Sequence, residues 1–182
     1  MKVTVIGRGN VGGGLAKLWR AAGHEVTEIG RGGGDAAGSD AVLLAVPSAA
    51  IADALGSVTG LEGVPVIDAT NMFGGDRQGF DSFAEYVRTL VDGPVAKSFN
   101  LNFAAAYDRL AEASTAPSMV YAAEDAARDV TEQLIRDAGY EPISAGGLDS
   151  ARALEDGLGL LFAVNKAGMG PFFYRMAPPD RL

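Results

Sequence analysis

Residues 2–12 read Lys2-Val3-Thr4-Val5-Ile6-Gly7-Arg8-Gly9-Asn10-Val11-Gly12, a short β-branched run that breaks straight into G-x-G-x-x-G. Leu15, Ala16, Leu18 and Trp19 then recur at helical spacing. A strand, a glycine turn and a helix in that order make a place to hold a dinucleotide. Gly7 permits the tight turn, Gly9 lets the backbone approach a pyrophosphate, and Gly12 lets helix and strand pack closely. Asn10 and Val11 open the helix, whose N-terminal N–H groups and positive dipole end face the phosphates. Glycine turns are common, and taken alone this one could be merely structural. Its position between a strand and a helix makes it a nucleotide site.

At 182 residues the chain supports one domain with a real core. The net charge of −8 argues against nucleic acid or an anionic membrane as partner. An anionic cofactor must therefore be held by local features, such as helix N-termini and single arginines. With no cysteine and one histidine, His24, disulfides, thiolate chemistry and a histidine-rich metal site are excluded. The chain opens directly on its first strand, so no signal peptide is expected. Apolar stretches such as residues 158–164 fall short of the ~20 residues that span a bilayer. A cytoplasmic protein is expected.

The pattern after the first helix alternates. Strands are predicted over residues 26–29, 40–46, 64–68, 94–97, 118–122 and 140–144. Residues 40–46 are almost continuously apolar, as expected of a strand buried on both faces. Helices are predicted from Pro47-Ser48 to about Leu55, over residues 103–111 and over residues 124–138. Another starts at Ser82 and Glu85, which have capping-box spacing, and runs to about Val91. Residues 30–39 are too short and glycine-rich for a crossover helix. This alternation predicts an α/β fold, a Rossmann-type doubly wound and mainly parallel sheet. Residues 1–148 form the dinucleotide-binding domain. Residues 149–182 add a short C-terminal helical segment that completes the site and offers a dimer interface. In the helix predicted over residues 150–166, Leu154, Leu158, Leu161, Phe162 and Val164 spread over more than one face. A second subunit is expected to cover them, giving a homodimer.

An NAD site presents an acid at the end of the second strand, where it bonds the ribose hydroxyls. Here that strand ends Ile29-Gly30-Arg31, and Glu28 falls two residues early. Arg31 stands where a guanidinium can take a 2′-phosphate through charge-assisted bonds, so NADP(H) is the expected cofactor. Gly32, Gly33 and Gly34 leave Arg31 in a loop that loses conformational freedom on binding. Arg8 either adds a second cationic contact or points to solvent.

Ligands of open α/β sheets lie outside the carboxyl ends of the strands. Those ends read Ala45-Val46-Pro47-Ser48, Asp68-Ala69-Thr70-Asn71 and Lys97-Ser98-Phe99-Asn100. Val46, Pro47, Asn71 and Asn100 are the candidates to line a nicotinamide pocket. Asp68 is equally an acid bonded to nearby backbone N–H groups. Lys97 and Phe99 are candidates for the substrate side, although a strand-end lysine is more often a surface cation. Tyr86 and Tyr107 are read as packing residues. No Ser/His/Asp set appears, and no catalytic residue is assigned. Hydride transfer between two stacked redox rings needs orientation and dryness more than proton donors. A ketone or hydroxy-acid dehydrogenase would need a proton relay.

At these segments the chain resembles the NADP oxidoreductases dependent on the deazaflavin coenzyme F-420. The resemblance rests on residues 6–12, Gly30-Arg31, residues 68–71, residues 95–100 and residues 140–146. It continues through Ala151-Arg152-Ala153-Leu154-Glu155 to Gly168-Met169-Gly170 and covers nearly the full length. It implies NADPH in the glycine crevice, with Arg31 on the 2′-phosphate. A deazaflavin ring would meet the nicotinamide near Pro47, Asn71 and a C-terminal loop containing Met169. The chain departs from that family in three ways: Gly30 replaces a hydroxyl residue, the second crossover helix is missing, and the chain is short. Two other readings stay open. One is an NADPH-dependent reductase of a small imine, ketone or flavin, although those families carry a second helical domain. The other is a non-catalytic NADP-binding or sensing module.

Overall fold

The computed structural model describes residues 1–71 and 77–181. In chain order its elements are β1 (Lys2–Ile6), α1 (Asn10–Ala21), β2 (Glu25–Ile29), β3 (Gly34–Asp35), β4 (Ala41–Leu44), α2 (Ile51–Gly56), β5 (Val58–Thr59) and β6 (Val66–Asp68). They continue with α3 (Phe83–Arg88), β7 (Val95–Lys97), β8 (Ser118–Ala123), α4 (Asp125–Asp137), β9 (Glu141–Ser144) and α5 (Ala151–Val164). Three-residue 3-10 turns precede α2 and α5, and a longer one spans Ala104–Glu112 where an α-helix was predicted. Leu182 of the predicted C-terminal segment lies outside the described residues.

Seven strands form one sheet in the order β2-β1-β4-β6-β7-β8-β9, and β3 pairs with β5 in a separate parallel ladder. The order turns at β1, which pairs in parallel with β2 on one side and β4 on the other. That reversal opens a crevice at the carboxyl ends of β1 and β4. The parallel run extends through β6 and β7, after which β8 runs antiparallel to β7 and β9 follows parallel to β8. The reason lies in residues 98–117. With only 3-10 turns there, no full helix carries the chain back along the sheet, so β8 starts at the end where β7 stops.

Side chains alternate along the strands and build a core on each face. Val3, Val5, Leu43, Ile67 and Met119 pack with Leu15 and Trp19 of α1 and Leu134 of α4. Ile6, Val42, Leu44, Val66 and Val95 pack with Ile51 and Leu55 of α2, Phe83 and Val87 of α3 and Leu154 of α5. Burial on both faces explains the continuous apolar run of β4. The Trp19 Nε1–H donates to the Leu134 carbonyl at 2.8 Å and ties α1 to α4. At the start of α3, Ser82 Oγ accepts from the Glu85 N–H at 3.1 Å, while Glu85 Oε2 reaches the Asp81 N–H at 3.2 Å. The helix ends at Arg88, a turn short of the prediction, where the Thr89 hydroxyl donates to the Tyr86 carbonyl.

Candidate functional site

The glycines of the β1–α1 turn divide by what surrounds them. Gly7 has φ 110, and a Cβ there would lie 2.2 Å from the Ala45 carbonyl oxygen. A Cβ on Gly12 would lie 2.0 Å from the Gly7 oxygen. Both glycines are demanded by the fold. Gly9 is different: a Cβ on it would meet no atom within 4 Å. It sits at the N-cap of α1 in extended conformation, with no side-chain cap and no acid in the first turn. The helix therefore presents free N–H groups and an unneutralised dipole end to the space that Gly9 leaves open.

That space continues into a cleft of about 770 Å³ lined by Gly7, Arg8, Gly9, Gly30, Arg31, Val46 and Pro47. Its other wall is Ala50, Asp53, Ala54 and Ser57, from α2 and its flanking turns, which sequence reasoning did not assign. Nothing in the local pattern of α2 marks those residues, because only the placement of β4 brings them round. Of the remaining glycine-loop candidates, Asn10 is exposed, Val11 packs against the core and Gly12 is buried in the first turn of α1. Glu28 is not among the residues that line the cleft, and its carboxylate takes Arg20 at 2.7 Å.

Asn71 and Asn100, at the ends of β6 and β7, hold one another. The Asn71 amide donates to the Asn100 carbonyl at 2.8 Å, and the Asn100 amide donates to Asn71 Oδ1 and to the Leu154 carbonyl of α5, both at 3.1 Å. The Asn100 Oδ1 is buried without a hydrogen-bond partner among the described residues. Met169 follows α5 in a turn where Gly168 has φ 113, and it is 64% exposed.

Two substrate-side expectations are corrected. Lys97 is neither a surface cation nor open to a substrate, for its side chain is fully buried. Its ammonium lies 2.8 Å from Asp68 Oδ2 and 2.9 Å from Glu155 Oε1, and donates to the Thr70 carbonyl at 2.7 Å. Three donors meet three acceptors. Asp68 Oδ1 accepts the Thr70 N–H at 2.8 Å, the backbone bond that the sequence allowed for it. Glu155 also accepts the Phe83 N–H at 2.8 Å and Arg77 Nε at 3.2 Å. Arg77 reaches on to Asp156, whose carboxyl is held below the usual range by the Arg152 hydrogen bond, which outweighs burial, with help from Arg77. Phe99 is the second correction. Its backbone turns left-handed at φ 61 and its ring packs edge-on against Trp19, centroids 5.6 Å apart. It is a core residue. Tyr107 lies flat on α1, where a Cβ on Gly14 would meet its ring at 2.5 Å, and burial pushes its hydroxyl well above the ordinary range.

Glu155 was missed as well, and a signal for it existed. It sits beside Leu154 in a mainly apolar helix, where an acid must find a buried cation. Among the described residues there is no group of metal-ligating side chains and no helix long and apolar enough to cross a membrane.

No family model and no curated protein matches the sequence. Solved structures do. A protein from Arthrobacter sp. FB24, provisionally described as an F-420-dependent NADP reductase, matches 98% of this chain and 100% of its own, with TM-score 0.80 and 23% identity. A hypothetical protein from Sinorhizobium meliloti matches 85% of this chain and 89% of its own, with TM-score 0.68 and 24% identity. A reductive aminase from Aspergillus terreus, seen with NADPH and ethyl levulinate, matches 93% of this chain and 62% of its own, with TM-score 0.64 and 18% identity. The first likeness is to the kind of protein that the sequence segments resemble. At these identities the likenesses establish the fold, a Rossmann-type α/β sheet over the length of the chain.

Proposed function

We propose that the chain is an NADP(H)-dependent oxidoreductase that passes a hydride between the nicotinamide and a ring acceptor of the deazaflavin F-420 class. The observation that carries this reading is the open space at Gly9, below the uncapped end of α1, in a cleft that holds two arginines and no acid from β2. At the ends of β6 and β7, Asp68 and Lys97 are committed to the fold: they pair in the interior, and Glu155 of α5 joins them with Arg77 as its second cation. That leaves binding, orientation and exclusion of water as the protein's part, with the hydride chemistry supplied by the nicotinamide. The whole-chain likeness to the Arthrobacter protein supports the choice of acceptor.

The test is oxidation of NADPH by the purified chain against a panel of deazaflavin, flavins and small imines. Steady turnover with the deazaflavin is expected. Turnover with an imine or flavin alone would make the chain a reductase of that substrate. Binding of NADPH without turnover of any acceptor would make it a sensing module.

NADPH is expected to bind at least tenfold more tightly than NADH, about 1.4 kcal/mol, a modest sum for a charge-assisted phosphate contact. Arg31 is exposed on the cleft wall and has no ion-pair partner among the described residues. Arg31→Ala should remove most of the preference and leave NADH affinity unchanged. Calorimetric titration reads both, and equal dissociation constants in the parent protein would refute the assignment.

A homodimer is also proposed. Leu154 of α5 docks on its own sheet, but Leu158, Leu161, Phe162 and Val164 stay half-buried and Leu160 is 69% exposed. Covering each such side chain gains roughly 1.5–3 kcal/mol. Light scattering at micromolar concentration should give twice the chain mass of 18.7 kDa. A single-chain mass that persists on concentration would exclude the dimer.

A further inference from the structure

We propose that Arg8 is a second specificity-determining arginine for the ribose phosphate, and that Gly30 is the residue that admits it. The proposal rests on the NADP(H) reading above. The end of β2 ordinarily supplies a polar side chain to the adenosine ribose, and here Gly30 supplies none. Arg8 fills the gap from the turn after β1. A Cβ built on Gly30 would lie 3.5 Å from both Cζ and Nε of Arg8 and 3.6 Å from its Nη1. The guanidinium thus lies in van der Waals contact with the site of a Cβ at position 30, and only atoms beyond Cβ would compete with it for space.

The way the guanidinium is held leaves it able to bind an anion. Nε and Nη2 donate to the Glu28 carbonyl at 3.3 and 2.8 Å. A neutral carbonyl fixes the orientation of the fork without cancelling its charge. Of the five N–H groups of an arginine, three remain, including both on Nη1. Of the carboxylates near the cleft, Glu28 Oε1 takes Arg20 at 2.7 Å, and Asp53 on the other wall forms no ion pair with Arg8. Arg31 is the next residue after Gly30 and lines the same cleft. Two guanidinium groups therefore flank a residue without a side chain, in a protein of net charge −8. A phosphate monoester has the charge and oxygen count to take both. A planar fork pinned on one edge gives up little freedom when it binds.

The experiment measures NADPH and NADH dissociation constants by calorimetry for the parent, Arg8→Ala, Gly30→Val and the double variant. Arg8→Ala is expected to weaken NADPH by about tenfold while moving NADH little. Gly30→Val, whose branched side chain displaces the guanidinium, should give a similar selective loss in the parent and no further loss once Arg8 is gone. Circular dichroism verifies folding, which an exposed arginine and a glycine with room for a Cβ should not disturb. Three outcomes would overturn the proposal. An equal loss for both nucleotides would put Arg8 on the pyrophosphate or the adenine ring. An unchanged preference in Arg8→Ala would leave discrimination to Arg31 alone, with the NADP(H) reading intact. Additive losses in the double variant would show that Gly30 acts apart from Arg8. A parent protein without preference fails the NADP(H) reading itself, before any variant is made.

Discussion

Gly9→Val is expected to leave a folded protein that no longer binds a dinucleotide. The backbone at Gly9 is extended, with φ −76 and ψ −170, a conformation open to any residue. A Cβ there meets nothing within 4 Å, so the branched side chain enters empty space. Losing glycine at the N-cap of α1 costs on the order of 1 kcal/mol, small beside a typical stability of ~5–15 kcal/mol. The same side chain stands where a pyrophosphate must approach the α1 N–H groups. Gly7→Val and Gly12→Val are the contrast, because their Cβ atoms would strike carbonyl oxygens at 2.2 and 2.0 Å. Those variants should lose the fold along with the site. Calorimetry with NADPH, paired with a thermal melt, separates the two kinds of glycine. Unaltered affinity in a folded Gly9→Val protein would place the cofactor elsewhere.

A large loss of stability is expected from Lys97→Met. Methionine matches the length of the lysine stem but leaves buried Asp68 with no cation and buried Glu155 with Arg77 alone. Breaking a buried pair by removing one partner typically costs about 3–5 kcal/mol, and here two carboxylates lose the same partner. The Thr70 carbonyl also loses its donor. Urea denaturation should show a large fall in midpoint, or a chain that does not fold. Glu155→Gln is the milder companion. It can still accept the Phe83 N–H, and Lys97 keeps Asp68, so a loss of about 1–2 kcal/mol is expected. A Lys97→Met protein as stable as its parent would show that the triad contributes no net stability.

These two sites differ in how much of them could be read in advance. The glycine turn is local: its strand, turn and helix fall within some twenty consecutive residues, and each has its own period. The missing crossover helix is local too, written in Gly32, Gly33 and Gly34, although the two-residue strands β3 and β5 are too short to carry a pattern. The direction of β8 is another matter, because a period of two looks the same whichever way a strand runs. The fate of Lys97 is less local still. Its partner Glu155 lies on α5 and reaches it only after the sheet is complete, so a lysine at a strand end reads as exposed. Phe99 misleads for the same reason, since its left-handed backbone aims the ring away from the carboxyl ends.

The seven-stranded sheet ends in β2 on one side and β9 on the other. Each outer strand could in principle extend its ladder onto a neighbouring molecule. β2 bears Glu25 and Glu28 in a five-residue strand, and β9 has Glu141 followed by Pro142, which has no N–H to donate. Such residues discourage open-ended sheet growth. Copies of this chain are thereby steered away from edge-to-edge stacking and fibre-like polymers, and helical surfaces are left as their route to a closed assembly.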